Sequence, residues 1–360
     1  MAEKLALAHL PTPLQPLPRL GALYGVDLWV KRDDATGGAE AGNKIRKLEY
    51  LLADAQARGA TRVITCGGLQ SNHARATALT AARCGLSATL FLRDRNLRVD
   101  ASNDDASKDD GVPLVAPPTE GNLFLDRFAG AEVRRISAAQ YARRGALLQA
   151  EADRVTARGE MPYVVPEGGS NGLGALGYVD AMTEVRQQLE ADAGRPFDAV
   201  VHACGSGGTA AGIVLGAGAH RVASAVHVMA VCDDAATFTE RIERLMAEAR
   251  EVASSWGHDR RRFSPAPWRV DDRFKGPAYA VGTPPQRETM LEAARLDGLV
   301  LDPVYSGKAF HGLARLCQSG ELSGRVLFVH TGGLPGLMAQ ASTFSEVLSP
   351  TRGPRNPSVV

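Results

Sequence analysis

The stretch AGNKIRKLEY, residues 41–50, sets Lys44 and Lys47 one helical turn apart, directly behind the glycine-rich TGGAEAGN. Ile45, Leu48, Leu51, Leu52 and Ala55 recur at helical spacing and Gly59 closes the run, so the pattern predicts an amphipathic helix with Lys44 at its entrance. An amine there faces the positive end of the helix dipole, and desolvation adds to that, so its pKa is expected below the reference of about 10.4. A partly neutral amine is what Schiff-base formation requires. Lys47, one turn further in, is placed to meet a phosphate or to face solvent.

Other residues with chemical potential lie in glycine-rich turns. In HACGSGGTAAGI (202–213) a strand closes on Gly205, Ser206, Gly207, Gly208 and Thr209 and opens a helix, which aims backbone N–H groups and the positive helix end at one spot suited to a phosphate. No G-K-[S/T] follows, and the glycines do not fit the dinucleotide pattern, so a phosphorylated cofactor or substrate is favoured over a nucleotide. CGGLQSNHAR (66–75) places Ser71 and Asn72 at the start of a helix beginning near His73. Ser71 there is either a helix cap or, with exposed N–H groups, a carboxylate site. EGGSNGLGALGY (167–178) and HTGGLPGL (330–337) repeat the polar-glycine turn, and LDPVYSGKAFHG (301–312) sets Tyr305 and Ser306 before a glycine. Four such turns could line one cleft.

The elements that must position these turns are legible in the hydrophobic pattern. VDLWVKRDD, TRVITCGG, SATLFLR, FDAVVHACGSGG, AVHVMAVCDD and RVLFVHTGG read as buried strands, several running through glycines into helical patterns. That alternation predicts an α/β fold with parallel sheets, whose ligands bind outside the carboxyl ends of the strands. With 360 residues, 44% hydrophobic and 22% charged, the chain has the composition of a soluble globular protein with one large core or two moderate ones. A net charge of +1 argues against nucleic acid or an anionic membrane as partner. Cys66, Cys84, Cys204, Cys232 and Cys317 are odd in number and lack metal-ligand spacing, which points away from a disulfide scaffold or a metal site and towards a reducing cytoplasm. The N-terminal apolar run is too short for a secretion signal, and no apolar segment reaches the roughly 20 residues of a membrane span. Two polar stretches, 93–122 and 251–274, are expected to be surface excursions, with Arg260, Arg261 and Arg262 on a solvated face.

In this order the motifs resemble those of the 1-aminocyclopropane-1-carboxylate deaminase and D-cysteine desulfhydrase family of pyridoxal-phosphate (PLP) enzymes. The resemblance runs through HLPTPLQPLPRL, KRDD, AGNKIRKLEY, GGLQSNHAR, PEGGSNGLGALGY, ACGSGGTAAG, VCDDAATF, LDPVYSGKA and HTGGLPGL, nearly the whole chain. It implies a tryptophan-synthase-β-like fold (fold type II), with two open, twisted, mostly parallel sheets flanked by helices. A small α/β domain, 47–163, would be inserted in a large PLP-binding domain formed by 1–46 and 164–360, and the chain would be a homodimer. It also implies that Lys44 binds PLP and shuttles the Cα proton, and that Gly205, Ser206, Gly207, Gly208 and Thr209 hold its phosphate with Lys47. Asn72 would bond the cofactor's phenolic oxygen, Ser71 with neighbouring N–H groups would bind the substrate carboxylate or assist proton transfer, and Tyr305 and Tyr279 would face the substrate.

Deaminases of the family resemble one another in carrying Glu after the pocket tyrosine and Leu before the final Gly-Gly, whereas this chain has Ser306 and Thr331, as desulfhydrases have Ser or Thr. A hydroxyl beside the pyridine nitrogen makes a weaker electron sink than a carboxylate would, sufficient for expelling a thiolate. His73 also matches the desulfhydrase form. The implied reaction is α,β-elimination on a β-substituted amino acid such as D-cysteine. A cyclopropane amino acid deaminase, a lyase or β-replacement enzyme on another such substrate (L-cysteate, β-chloroalanine), and a weakly catalytic PLP-binding protein stay open. Ala278, where the family usually has glycine, leads one to expect a displaced Tyr279.

Overall fold

The computed structural model describes residues 4–97, 119–191, 194–257, 259 and 263–348. Two sheets organise the chain. The larger combines β1 (Leu14–Pro16), β2 (Asp27–Lys31), β7 (Phe197–Cys204), β8 (Ala223–Ala230), β9 (Trp268–Asp271) and β10 (Arg325–Val329) in the order β1-β2-β10-β7-β8-β9. Only β1, paired with β2, is antiparallel. The smaller, all parallel, is formed by β3 (Arg62–Gly68), β4 (Ser87–Arg93), β5 (Glu132–Ile136) and β6 (Pro162–Val164) in the order β5-β4-β3-β6. Six of these strands are those that the β-branched runs predict. The other four are short or half-polar and lack that signal: β1 is three residues ending on Pro16, β5 reads EVRRI, β6 is three residues long, and β9 lies inside the 251–274 stretch.

That stretch is therefore not a surface excursion throughout. It begins with the last turns of α9 (Ala235–Ser255) and contains an edge strand of the larger sheet. Arg260, Arg261 and Arg262 lie outside the described residues, as do residues 98–118 of the other polar stretch. The ends of that second stretch are structured, Arg93 closing β4 and Gly121 opening α4 (Gly121–Phe128).

Both faces of the larger sheet are covered, which explains why its central strands read as continuous apolar runs. On one face α7 (Gly172–Ala191), α8 (Gly208–Ala219) and α9 pack Met182, Ile213, Leu215, Phe238 and Ile242 against Val200 and Val228. On the other, α1 (Pro18–Tyr24), α10 (Pro284–Asp297) and α11 (Ser306–Gln318) pack Leu20, Met290, Phe310 and Leu313 against Val201 and Phe328. Each fully buried aliphatic side chain of this kind stabilises the fold by about 1.5–3 kcal/mol. In the smaller sheet, α2 (Lys44–Ala57), α3 (Asn72–Arg83) and α4 cover one face, while α5 (Ala138–Ala142) and α6 (Arg144–Ala157) cover the other.

A buried ionic network fixes α2 against the larger sheet. The Arg46 guanidinium, 1% exposed, donates from Nε and Nη2 to the two oxygens of Asp33 at 2.9 Å each, and from Nη1 to Glu184 on α7 at 3.1 Å. Asp33 also accepts from Tyr178 Oη (2.6 Å) and Thr12 Oγ1 (2.8 Å), and Lys31 pairs with Glu184. Burial pushes the Asp33 carboxyl up, but Arg46, Lys31 and Tyr178 more than offset it and hold it below its ordinary range. α2 and α7 cross closely: a Cβ on Gly177 would stand 2.2 Å from the Arg46 carbonyl oxygen. Lys44 and Lys47 sit on this clamped helix, two residues before Arg46 and one after.

Candidate active site

A cavity of about 420 Å³ opens between the carboxyl ends of the two sheets' strands, and Lys44, Ser71, Asn72, Gly205, Ser206, Gly207, Thr209, Tyr279, Tyr305 and Thr331 all line it. Residues separated by nearly 290 positions in the chain thus meet because β3, β7 and β10 end on the same side.

Lys44 is the first residue of α2, and its accessible part faces the cavity. Burial in the surrounding protein lowers its pKa to about 8. Its amine makes no hydrogen bond among the described residues, so it is free to react, whereas Lys47 is fully engaged. Lys47 Nζ donates to the Gly168 carbonyl (2.6 Å) and to Ser170 Oγ (3.0 Å) behind the cavity wall, and burial, with Lys44 nearby, holds it well below its usual pKa. Two amines of lowered pKa therefore stand near one helix entrance.

The glycine loop closes β7 and starts α8. Gly207 takes φ +89°, a backbone conformation that a side chain would strain, and a Cβ on Gly208 would stand 2.5 Å from Lys47 Nζ and 3.0 Å from Ser170 Cα. Ser170 Oγ receives the Gly208 N–H at 3.2 Å and bonds Ser206 Oγ at 2.9 Å, tying this loop to the 167–170 turn. Asn43 Nδ2 donates to Thr209 Oγ1 at 2.9 Å, tying it to the residue before Lys44. A glycine cradle at the N-terminus of a twelve-residue helix, beside a free amine of lowered pKa, fits a ligand carrying both a phosphate and an aldehyde.

Ser71 caps α3, its Oγ accepting from Ala74 N at 3.2 Å, which leaves its O–H to donate. Asn72 Oδ1 accepts from Asn122 Nδ2 (3.0 Å), so its own NH₂ group is the part left for a ligand in the cavity. His73 lies beneath, Nε2 on Thr65 Oγ1 at 2.9 Å, and burial next to Lys44 and Lys47 depresses its pKa far below 6.5. Tyr279 and Tyr305 are hydrogen-bonded through their hydroxyls with ring planes inclined at 74°. Burial pushes the Tyr279 phenol up to about 12 and Tyr305 higher still. With Ala278 before it, Tyr279 lines the cavity beside Tyr305; the Ala278 carbonyl accepts from Lys308 Nζ at 2.8 Å, and the positive φ falls on Ala280. Thr331 faces the cavity, its carbonyl accepting from Asn43 N. Ser306 does not: it is fully buried, and its Oγ donates to Asp302 Oδ1 at 2.6 Å.

Sequence reasoning passed over several cavity residues. Glu167 begins a recognised turn, yet its role is visible only in three dimensions, where it accepts from Tyr141 and pairs with Arg144 Nε at 3.0 Å. Arg241, on α9, lies beside Gly207 and faces Asp233 at 3.5 Å. Arg93 is the last residue of a predicted strand. Of these, Glu167 and Arg93 lay inside segments already singled out, whereas Tyr141, Arg144 and Arg241 carried no local signal.

The family profile described as pyridoxal-phosphate dependent enzyme matches residues 5–332. The chain belongs to that family. Its cofactor is PLP, and its fold is the tryptophan-synthase-β-like, type II arrangement. It is 40% identical over 338 residues to a putative 1-aminocyclopropane-1-carboxylate deaminase of Thermotoga maritima, covering 94% of this chain and 98% of that protein. It is 39% identical to the bifunctional D-cysteine desulfhydrase/1-aminocyclopropane-1-carboxylate deaminase of Arabidopsis thaliana, covering 96% and 82%. The crystal structure of an ACC deaminase homologue superposes with a TM-score of 0.81 at 34% identity, covering 96% of each chain.

Proposed function

We propose that this protein is a PLP-dependent lyase that eliminates the β-substituent of an amino acid such as D-cysteine, with water, to pyruvate, ammonia and hydrogen sulfide. The observation that carries it is the unbonded Lys44 amine, of pKa about 8, in one cavity with the glycine cradle and the paired tyrosines. PLP supplies the electron sink. Lys44 takes the Cα proton, and its near-neutral pKa suits an amine that must both accept and return one. The Gly205–Thr209 loop holds the phosphate, with Lys47 bracing it from behind through Ser170. Asn72 orients the ring, and Ser71 with its neighbouring N–H groups binds the substrate carboxylate. The Tyr279–Tyr305 pair stays protonated at neutral pH and donates towards the departing group. Thr331 offers a hydroxyl near the cofactor, and Ser306 acts through Asp302, which it helps to hold. Neither position supplies the glutamate or leucine of the resembled deaminases, which favours the desulfhydrase reading.

A division into 47–163 and the remainder keeps β3, β4 and β5 together, although its ends fall inside α2 (Lys44–Ala57) and β6 (Pro162–Val164). The five cysteines are unpaired, and no helix of the described residues is long and apolar enough to cross a membrane, which supports a cytoplasmic location. Exposed Phe124 and Phe128, stacked on α4, adjoin exposed Leu334 and Met338 on α12 (Leu334–Met338), an apolar face suited to a homodimer. Light scattering of the wild type and Phe128→Asp reads that assembly.

The test is a panel of D- and L-cysteine, β-chloroalanine and the cyclopropane amino acid, scored for pyruvate, 2-oxobutyrate, ammonia and sulfide, with Lys44→Ala as control. Sulfide and pyruvate from D-cysteine, lost in the variant, support the reading. Turnover of the cyclopropane substrate alone overturns it in favour of a deaminase.

A further inference from the structure

The charged groups of the cavity do not balance. Glu167 is paired with Arg144 and Asp233 faces Arg241, so each carboxylate has its own guanidinium. Arg93 has none: among the described residues no carboxylate, carbonyl or hydroxyl accepts from it. It is instead held between two aromatic faces, its Cζ 4.8 Å from the Tyr141 ring centroid and 5.7 Å from that of Tyr279. Tyr279 is itself fixed to the same strand end, its carbonyl accepting from Arg95 at 2.9 Å. A guanidinium stacked this way keeps its in-plane N–H donors free.

Its location says what those donors meet. Arg93 is the last residue of β4 and pairs in register with Gly68, the last of β3, where the turn to Ser71 begins. Arg93, the Tyr279 ring that lies against Gly68, and Ser71 line the same cavity, so a ligand held at Ser71 shares that cavity with the free donors. The phosphate cradle, on the β7–α8 loop, is a separate anion site with Arg241 as its adjacent cation.

We infer that Arg93 is a specificity-determining residue that reads an oxyanionic β-substituent, so that the preferred substrates are amino acids carrying a sulfonate or phosphate on the β-carbon. This rests on the lyase reading above. The step balances without an external oxidant: Lys44 takes the Cα proton and the Cβ–S or Cβ–O bond breaks with its electron pair on the leaving group. One water then yields pyruvate and ammonia beside sulfite or phosphate.

The experiment uses PLP-loaded protein and has two readouts: the change in PLP absorbance on titration with cysteate, O-phosphoserine, β-chloroalanine and alanine, and pyruvate release from the first three. A charge-assisted pair of this kind is worth about 10- to 100-fold in affinity. The wild type is expected to saturate at least about tenfold lower with cysteate or O-phosphoserine than with alanine. Arg93→Gln should erase that preference, and Arg93→Lys, which keeps the charge, should restore part of it. Equal weakening of all four ligands in Arg93→Gln would overturn the inference, assigning Arg93 to the common α-carboxylate, and so would a wild type without preference. If neither these ligands nor D-cysteine yields pyruvate the lyase reading fails, while the titration order still decides the role of Arg93.

Discussion

Replacing Asp33 by alanine removes the centre of the network that holds the Lys44 helix in place. Four hydrogen bonds are lost at once: two from Arg46 at 2.9 Å, one from Tyr178 at 2.6 Å and one from Thr12 at 2.8 Å. Arg46 stays buried with Glu184 as its remaining carboxylate, and Glu184 must also serve Lys31. Breaking a buried ion pair costs about 3–5 kcal/mol because the remaining charge is uncompensated. Glu184 retains part of the balance, so a loss of about 3 kcal/mol is expected. The assay is urea unfolding of the cofactor-free protein at neutral pH by tryptophan fluorescence and circular dichroism, whose coincidence tests for a single transition. The double variant with Arg46→Met should be less destabilised than the sum of the two single changes, by more than about 1 kcal/mol. The pH dependence has a definite sign. Asp33 is held below its ordinary pKa of 3.8 in the folded state, so its contribution is full above that value and is lost as pH falls through the lower folded value. The gap between wild type and Asp33→Asn should accordingly narrow below about pH 4. A loss under about 1 kcal/mol for Asp33→Ala, or strict additivity with Arg46→Met, would refute the reasoning.

Further outcomes follow from the site. In cofactor-free protein, acylation of Lys44 by an amine reagent should rise with a midpoint near pH 8, where burial sets its amine, and mass spectrometry of the labelled peptide across pH reads it. A midpoint above about 10, the range of an ordinary lysine, would remove the argument for a reactive amine. Gly208→Ala pushes a methyl against Lys47 Nζ and Ser170 Cα, so PLP affinity measured by equilibrium dialysis should fall at least about tenfold. Ser71→Ala loses a helix cap worth about 1 kcal/mol. If Ser71 also binds substrate, kcat/KM should fall well beyond what that stability loss explains, and an unchanged kcat/KM would leave Ser71 a cap alone.

Much of the layout was legible in the sequence because its signals are local. Apolar runs buried on both faces declared β2, β3, β4, β7, β8 and β10, and the 3.6-residue pattern with Gly59 declared α2. Glycine turns at strand ends marked four walls of the cavity, since positive φ and close backbone approach leave glycine a distinctive choice. The ordered series of motifs pointed to PLP and to Lys44. What the sequence could not decide depended on neighbours distant along the chain. β9 has a half-polar sequence and becomes a strand only because β8 offers it an edge. Lys44 and Lys47 have the same residue type and share one helix. Their contrasting environments arise because the 167–170 turn brings two acceptors to Lys47, while no described residue brings one to Lys44. The same holds for the arginines of the cavity: sequence supplies the charges, but only the packing of β4, α6 and α9 pairs Arg144 and Arg241 with carboxylates and leaves Arg93 between two rings. Partnering is a property of three-dimensional distance, and no spacing along the chain encodes it.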